Sequence, residues 1–285
     1  MAREFPRPAL VVRGSIRALP CGKDLRLVGT AVDYLLRFFL EHRNPAAVAD
    51  QLVAEVGRTY MDVFAASAAS IAVADRVLSA ATEHRAHIRA TGQITHEAVQ
   101  NALLLGRLDA VARTSRFDES WLSPPHQADI DDVTQIAALF HELDWVTSSE
   151  VCLLNPSFPV IPRAIRSADA DIVVDDTLIE VKTTIRRQLT QETFNQLVGY
   201  TMLERLGGIG PRGIARPPLR HVAVYFARHA LLARWRIEDV LDVEALRAFG
   251  AWTNDLPGTS APQQRAGSPI PSSHGVPSQS RSRRR

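Results

Sequence analysis

Apolar positions along this chain follow a helical period for the first half and a strand period for much of the second. From Leu27 to Leu40 (LVGTAVDYLLRFFL) they fall on nearly every side of a 3.6-residue cylinder, which predicts a buried helix with Thr30 as its N-cap. Just after Pro45, the set Ala46, Ala47, Val48, Leu52 and Val56 predicts a second helix, and the alanine-rich run Val63 to Ala81 a third. Past Thr91-Gly92 a further helix starts near Thr95, with Val99, Leu103, Leu104, Leu108 and Val111 on one side. Pro124-Pro125 breaks the chain, and Val133, Ile136, Ala137, Phe140 and Leu143 then mark a stripe on a helix from Asp131 to Leu143.

The period then shortens. Val151 to Leu154 predicts a strand, followed by the turn-rich Asn155-Pro-Ser-Phe-Pro159. Ile172, Val173 and Val174 form one β-branched run, and Leu178, Ile179 and Val181 belong to another, with Asp175 and Asp176 as the turn between them. Gln191 to Arg205 reads as a helix with Phe194, Leu197, Val198, Thr201 and Met202 as its packing face. His221 to Phe226 and Ala233 to Ile237 read as a strand pair, and Asp239 to Phe249 as a closing helix. Leu10 to Val12 fits an edge strand.

A two-residue hairpin loop sets Val174 against Thr177, Val173 against Leu178, Ile172 against Ile179, and Asp171 against Glu180. Alternation of side chains puts Asp171, Glu180 and Lys182 on one face, with Ile179 and Val181 turned into a core. Facing carboxylates repel unless something positive lies between them, and hard divalent cations prefer carboxylate oxygens. The pattern therefore suggests a Mg²⁺ (or Mn²⁺) site at Asp171 and Glu180 with Lys182 beside it. A half-exposed hairpin with a charged wet face is the competing interpretation. Composition favours the site: of 33 basic side chains only Lys23 and Lys182 are lysines. A lysine in so arginine-rich a chain suggests chemistry that wants a compact ammonium.

At 285 residues and 46% apolar content the chain can bury a substantial core. Two cysteines, Cys21 and Cys152, make a disulfide scaffold or a four-cysteine cluster an unsuitable reading and point to a reducing, cytoplasmic compartment. No stretch reads as a signal peptide or a membrane span. The net charge of +2 becomes −3 for the body up to Leu256 once the five arginines of the tail are set aside. Contact with nucleic acid must then come from local patches, such as Arg228, Arg234 and Arg236, or from the Pro- and Ser-rich tail, which cannot form a core.

Asp171, eight residues, then Glu180-Val181-Lys182 resembles the PD-(D/E)xK nuclease superfamily, and Gln196-Leu-Val-Gly-Tyr200 resembles the QxxxY element of its RecB-like branch. Gly29-Thr-Ala-Val-Asp33 is similar to that branch's GxxxH motif, with Asp33 where His is usual. Asp33 is also placed for an i,i+4 ion pair with Arg37. The resemblance implies an α/β, restriction-endonuclease-like mixed sheet of four or five strands flanked by helices, with an α-helical insertion. The implied organisation is a first-motif segment over 1–45, the insertion over 46–123, the core over 124–256 and a disordered basic tail over 257–285. It further implies a Mg²⁺-dependent nuclease acting on nucleic acid, DNA foremost. Asp171, Glu180 and Lys182 would be catalytic, Asp171, Glu180 and Asp33 metal ligands, and Gln196 and Tyr200 substrate-binding. His141 and Glu150 are second-choice metal residues. A non-catalytic protein of the same fold that binds nucleic acid, and a helical interaction protein with a scaffolding hairpin, are the alternatives.

Overall fold

β-Branched runs and alternating apolar positions in the second half of the chain build one mixed sheet, onto whose faces the amphipathic segments pack. The structure, a computed structural model, describes residues 15–64, 66–147, 150–161, 168–211 and 213–241. In chain order the elements are α1 (Leu25–Arg43), β1 (Val48–Ala49), α2 (Val53–Val63), α3 (Ala68–Thr91), α4 (His96–Thr114), α5 (Gln127–Ala137), β2 (Cys152–Leu154), β3 (Ile172–Val174), β4 (Thr177–Lys182), α6 (Gln191–Gly207), β5 (His221–Phe226), β6 (Leu231–Arg236) and α7 (Ile237–Val240). The six strands lie in sequence order across the sheet. β1 with β2 and β4 with β5 are parallel, and the other pairs are antiparallel.

Alternation along the strands divides the interior into two cores. Ile172, Val174, Ile179, Ala223 and Tyr225 face the layer of α1 to α5, whereas Val173, Leu178, Val222, Val224 and Phe226 face α6 and α7. The result is an α/β fold in three layers. α1 lies at the centre of the thicker layer, with Val28, Ala31, Val32, Leu35, Leu36 and Leu40 fully buried. None of the helices among the described residues is long and apolar enough to cross a membrane.

Several boundaries differ from the sequence reading. Asp24, not Thr30, caps α1: its carboxylate accepts the N–H groups of Arg26 and Leu27 at 3.1 and 3.0 Å, while the Thr30 hydroxyl donates back to the Arg26 carbonyl from within the helix. The apolar stripe already needs Leu27 and Val28, so the cap has to precede them. Val48 and Ala49 do not open a helix but pair with Leu153 and Leu154 at the sheet edge, and the helix waits until Val53. Here a β-branched residue beside an unpaired strand edge outweighs helical spacing. The Val63–Ala81 run divides between α2 and α3, with the Ser67 hydroxyl capping α3. α5 starts earlier than expected, at Gln127, and gives way to a 3₁₀ turn over Ala138–Glu142. α4 begins near Thr95 as expected, with the Thr95 hydroxyl capping it. Leu10 to Val12, the closing helix beyond Leu241 and the basic tail lie outside the described residues.

Candidate active site

The hairpin forms with the expected loop. Val174 pairs with Thr177, Val173 with Leu178 and Ile172 with Ile179. Asp175 turns the chain in the left-handed region at φ 47°, which aspartate tolerates. The ladder stops there, one pair short of the predicted opposition of Asp171 and Glu180. Instead the Asp171 backbone carbonyl accepts the Asn155 N–H at 2.8 Å, and its carboxylate accepts the Val181 N–H at 2.7 Å. Leaving the ladder exchanges a repulsive cross-strand carboxylate pair for a charge-assisted hydrogen bond.

On β4, alternation turns Glu180 and Lys182 toward α6. The Lys182 ammonium donates to Glu180 Oε1 at 2.6 Å and approaches Gln196 Oε1 at 3.4 Å. One turn along α6, the Gln196 amide donates to the Tyr200 hydroxyl at 2.8 Å, and the Tyr200 ring stacks on Phe158. Thr190 caps α6 and fixes the start of this row. Lys182, Glu180, Gln196 and Tyr200 thus form one chain of polar contacts. Burial raises the Tyr200 phenol above its ordinary pKa, and the nearby Glu180 charge adds to the effect, so Tyr200 is a neutral donor.

α1 meets the same end of β4. A Cβ on Gly29 would lie 3.0 Å from the Thr183 hydroxyl, so the absence of a side chain there lets the helix approach the strand end. Asp33, one turn later, is near enough to Asp171 and Glu180 for its charge to act on both. Its Oδ2 accepts from the buried Arg37 guanidinium at 2.6 Å, the i,i+4 pair expected from spacing. Desolvation raises the pKa of all three acids; Glu180 and Asp33 add to the rise at Asp171, and Asp33 adds to it at Glu180. Arg37 and Lys182 are the cations ion-paired directly to this group, to Asp33 and Glu180 respectively. Asp33 Oδ1 and Glu180 Oε2 are both buried without a hydrogen-bond partner among the described residues. Leaving such atoms unpaired is costly, and carboxylate oxygens of this kind are suited to a hard divalent cation. As they stand, each carboxylate is drawn toward a protein donor, and no three His, Cys, Asp or Glu side chains among the described residues converge as a closed ligand set.

Other sequence candidates lie elsewhere. Glu150 precedes β2 and sits with Asp175 and Asp176 at the turn end of the hairpin, opposite the carboxylate end. His141 packs edge-on against Phe39. Arg228 was expected as a phosphate contact but is 1% exposed, its guanidinium paired in two places with the fully buried Asp132 at 2.6 and 2.9 Å. Its Nε donates to the Thr183 carbonyl at 2.6 Å, so it anchors the residue that follows Lys182. Arg234 and Arg236 pair with Asp176 and Glu238.

Sequence reasoning missed a second polar set beneath Asp33. The Tyr34 hydroxyl donates to the buried Asp109 at 3.2 Å and accepts the Ala54 N–H, and Asp109 also pairs with Arg113. The i,i+4 spacing of Asp109 and Arg113 was a visible signal, but its relation to Asp33 depends on how α4 packs on α1. Comparison with protein families, with curated proteins and with solved structures finds no match for this chain.

Proposed function

We propose that this chain is a divalent-cation-dependent nuclease of restriction-endonuclease-like fold that hydrolyses phosphodiester bonds, with DNA as the substrate. The observation that carries this reading is the pair of buried oxygens, Asp33 Oδ1 and Glu180 Oε2, that have no hydrogen-bond partner among the described residues, in a group of three neighbouring carboxylates of which Asp33 and Glu180 are ion-paired to Arg37 and Lys182. The resemblance of Asp171, Glu180 and Lys182 to PD-(D/E)xK, and of Gln196 and Tyr200 to QxxxY, supports it.

Asp171, Glu180 and Asp33 would hold Mg²⁺ or Mn²⁺. When bound, such an ion supplies Lewis-acid polarisation of the scissile phosphate and lowers the pKa of a coordinated water. Lys182, the only lysine on the hairpin, orients the attacking water and offsets charge building on the phosphate once its bond to Glu180 is released. Water oxygen forms the new P–O bond as one ester P–O bond breaks, and the leaving oxygen takes up a proton. Gln196 and Tyr200, coupled at 2.8 Å, present an amide and a neutral phenol to the substrate beside Lys182. Arg37 fixes Asp33 with one oxygen left free.

Purified protein incubated with linear, circular and single-stranded DNA should cut in Mg²⁺ or Mn²⁺ and not in EDTA, and Glu180→Ala and Lys182→Ala should each abolish cleavage. Activity that survives both substitutions, or persists in EDTA, would overturn the mechanism. Metal-independent DNA binding without any cleavage would favour the non-catalytic alternative.

A further inference from the structure

A groove of about 590 Å³ runs between the first turns of α1, the middle of α4 and a 3₁₀ turn over Glu119–Leu122. Its volume is within the roughly 300–1,000 Å³ typical of sites that enclose one small-molecule-sized unit. Gly106 on α4 lets the two helices close the floor: a Cβ there would lie 2.9 Å from the Leu27 side chain. The walls carry Arg26, Arg107, Arg113 and Trp121.

Acids and bases balance in number along the groove, but not in position. Asp109 and Asp129 are 2% and 3% exposed and are turned to the protein's own donors, Tyr34 and Arg113 for one and the Lys23 and Asp24 N–H groups for the other. Asp24 is the cap of α1. The cations lie outward. Arg113 has a side chain 59% exposed, and Arg26 is exposed with no side-chain partner among the described residues. Arg107 is held by two peptide carbonyls, those of Trp121 and Ser123, which orient it without cancelling its charge. Trp121 places a large aromatic ring among these cations.

The inner end of the groove adjoins the acidic cluster. Thr30 lines the groove and precedes Asp33 by three residues on α1, and Asp109, which also lines it, accepts from Tyr34, the next residue after Asp33. An aromatic plane beside guanidinium groups, in a space sized for one nucleotide, matches an unpaired base with its phosphate. A duplex offers phosphates to such a groove but keeps its base faces stacked. We infer that this groove binds an unpaired nucleotide of the strand entering the acidic site, with Trp121 stacking on the base and Arg26 and Arg107 on flanking phosphates, so that the protein prefers single-stranded or frayed DNA. The inference rests on the nuclease reading and supplies its substrate selectivity.

The test is fluorescence anisotropy of the full chain with a labelled single-stranded oligonucleotide and a blunt duplex of the same sequence, in EDTA so that no cutting occurs. Trp121→Leu and Arg26→Glu should each weaken single-strand binding by roughly tenfold, and Arg26→Glu should lower the salt slope by about one. Arg76→Glu, the same charge change at an exposed position of α3, should leave binding within about twofold. Circular dichroism and melting temperature identify a variant that has lost its fold, and Trp121→Phe, which keeps a ring, should restore most of the affinity. Equal binding of duplex and single strand, or affinity unmoved by Trp121→Leu and Arg26→Glu in folded protein, would overturn the groove. If wild-type protein fails to cut in Mg²⁺ or Mn²⁺ yet binds single strands through Trp121, the nuclease reading falls and the groove stands.

Discussion

Asp171 carries the tension of the site. Desolvation, then the neighbouring Glu180 and Asp33 charges, hold its carboxyl well above the usual aspartate range. A raised folded-state value means that the folded protein binds this proton more tightly than the unfolded chain does. The group then contributes stability that is fully present below the unfolded value, about 3.9, and is lost as pH rises through the folded one. Asp171→Asn keeps an oxygen for the Val181 N–H and removes the charge. In EDTA its melting temperature should exceed that of wild type by a margin that widens from pH 5 to pH 8. A margin that stays flat, or reverses, would show that Asp171 is not under the repulsion described. The same excess of charge was partly legible in the sequence. The carboxylates and their lysine were readable because a short hairpin leaves little freedom of register, but the departure of Asp171 from the ladder was not. That departure depends on the Val181 N–H being free to receive it.

Two elements meet where the site is made, the first helix and the fourth strand, and each has a residue that governs the meeting. Gly29→Ala adds a methyl at 3.0 Å from the Thr183 hydroxyl, while replacing a mid-helix glycine favours the helix by about 0.5–1 kcal/mol. The expected outcome is a melting temperature at or above wild type together with weaker Mn²⁺ binding, because α1 moves off the strand and takes Asp33 with it. Loss of stability with metal affinity intact would contradict that role. Arg228 acts from the other side, joining Asp132 of α5, the Ala18 carbonyl and the Thr183 carbonyl. Arg228→Leu leaves Asp132 charged in a fully buried place, and removal of one member of such a pair costs about 3–5 kcal/mol. Denaturant unfolding should report a loss of that size. The role of Arg228 was hidden in the sequence because an arginine on a strand end reads as a surface residue, and its partner is 96 residues away. β1 was hidden for a similar reason: two residues show no alternation, and their pairing with β2 is a tertiary fact.

At the scale of the whole molecule the sheet sets the site, although helix outweighs strand among the described residues. Its two faces separate the layer of α1 to α5 from α6, and the carboxylate end of β4 is where both layers reach the same strand. The architecture was legible as α/β because strand runs and helical stripes segregate along the sequence, and the i,i+4 spacing of Gln196 and Tyr200 put both on one stripe of α6, where the amide donates to the phenol. Less legible was the nearness of Asp33 to Asp171 and Glu180, since it joins residues 138 and 147 positions apart through the packing of α1 on the sheet. The proposal that these three acids share one ion is the centre of the account, and titration of the metal-free protein with Mn²⁺ by calorimetry tests it most directly. A saturable site in wild type that is lost in Glu180→Gln and weakened in Asp33→Asn, with both variants folded, is the predicted result. Wild-type protein that binds no Mn²⁺, or binds it equally well after both substitutions, would contradict it.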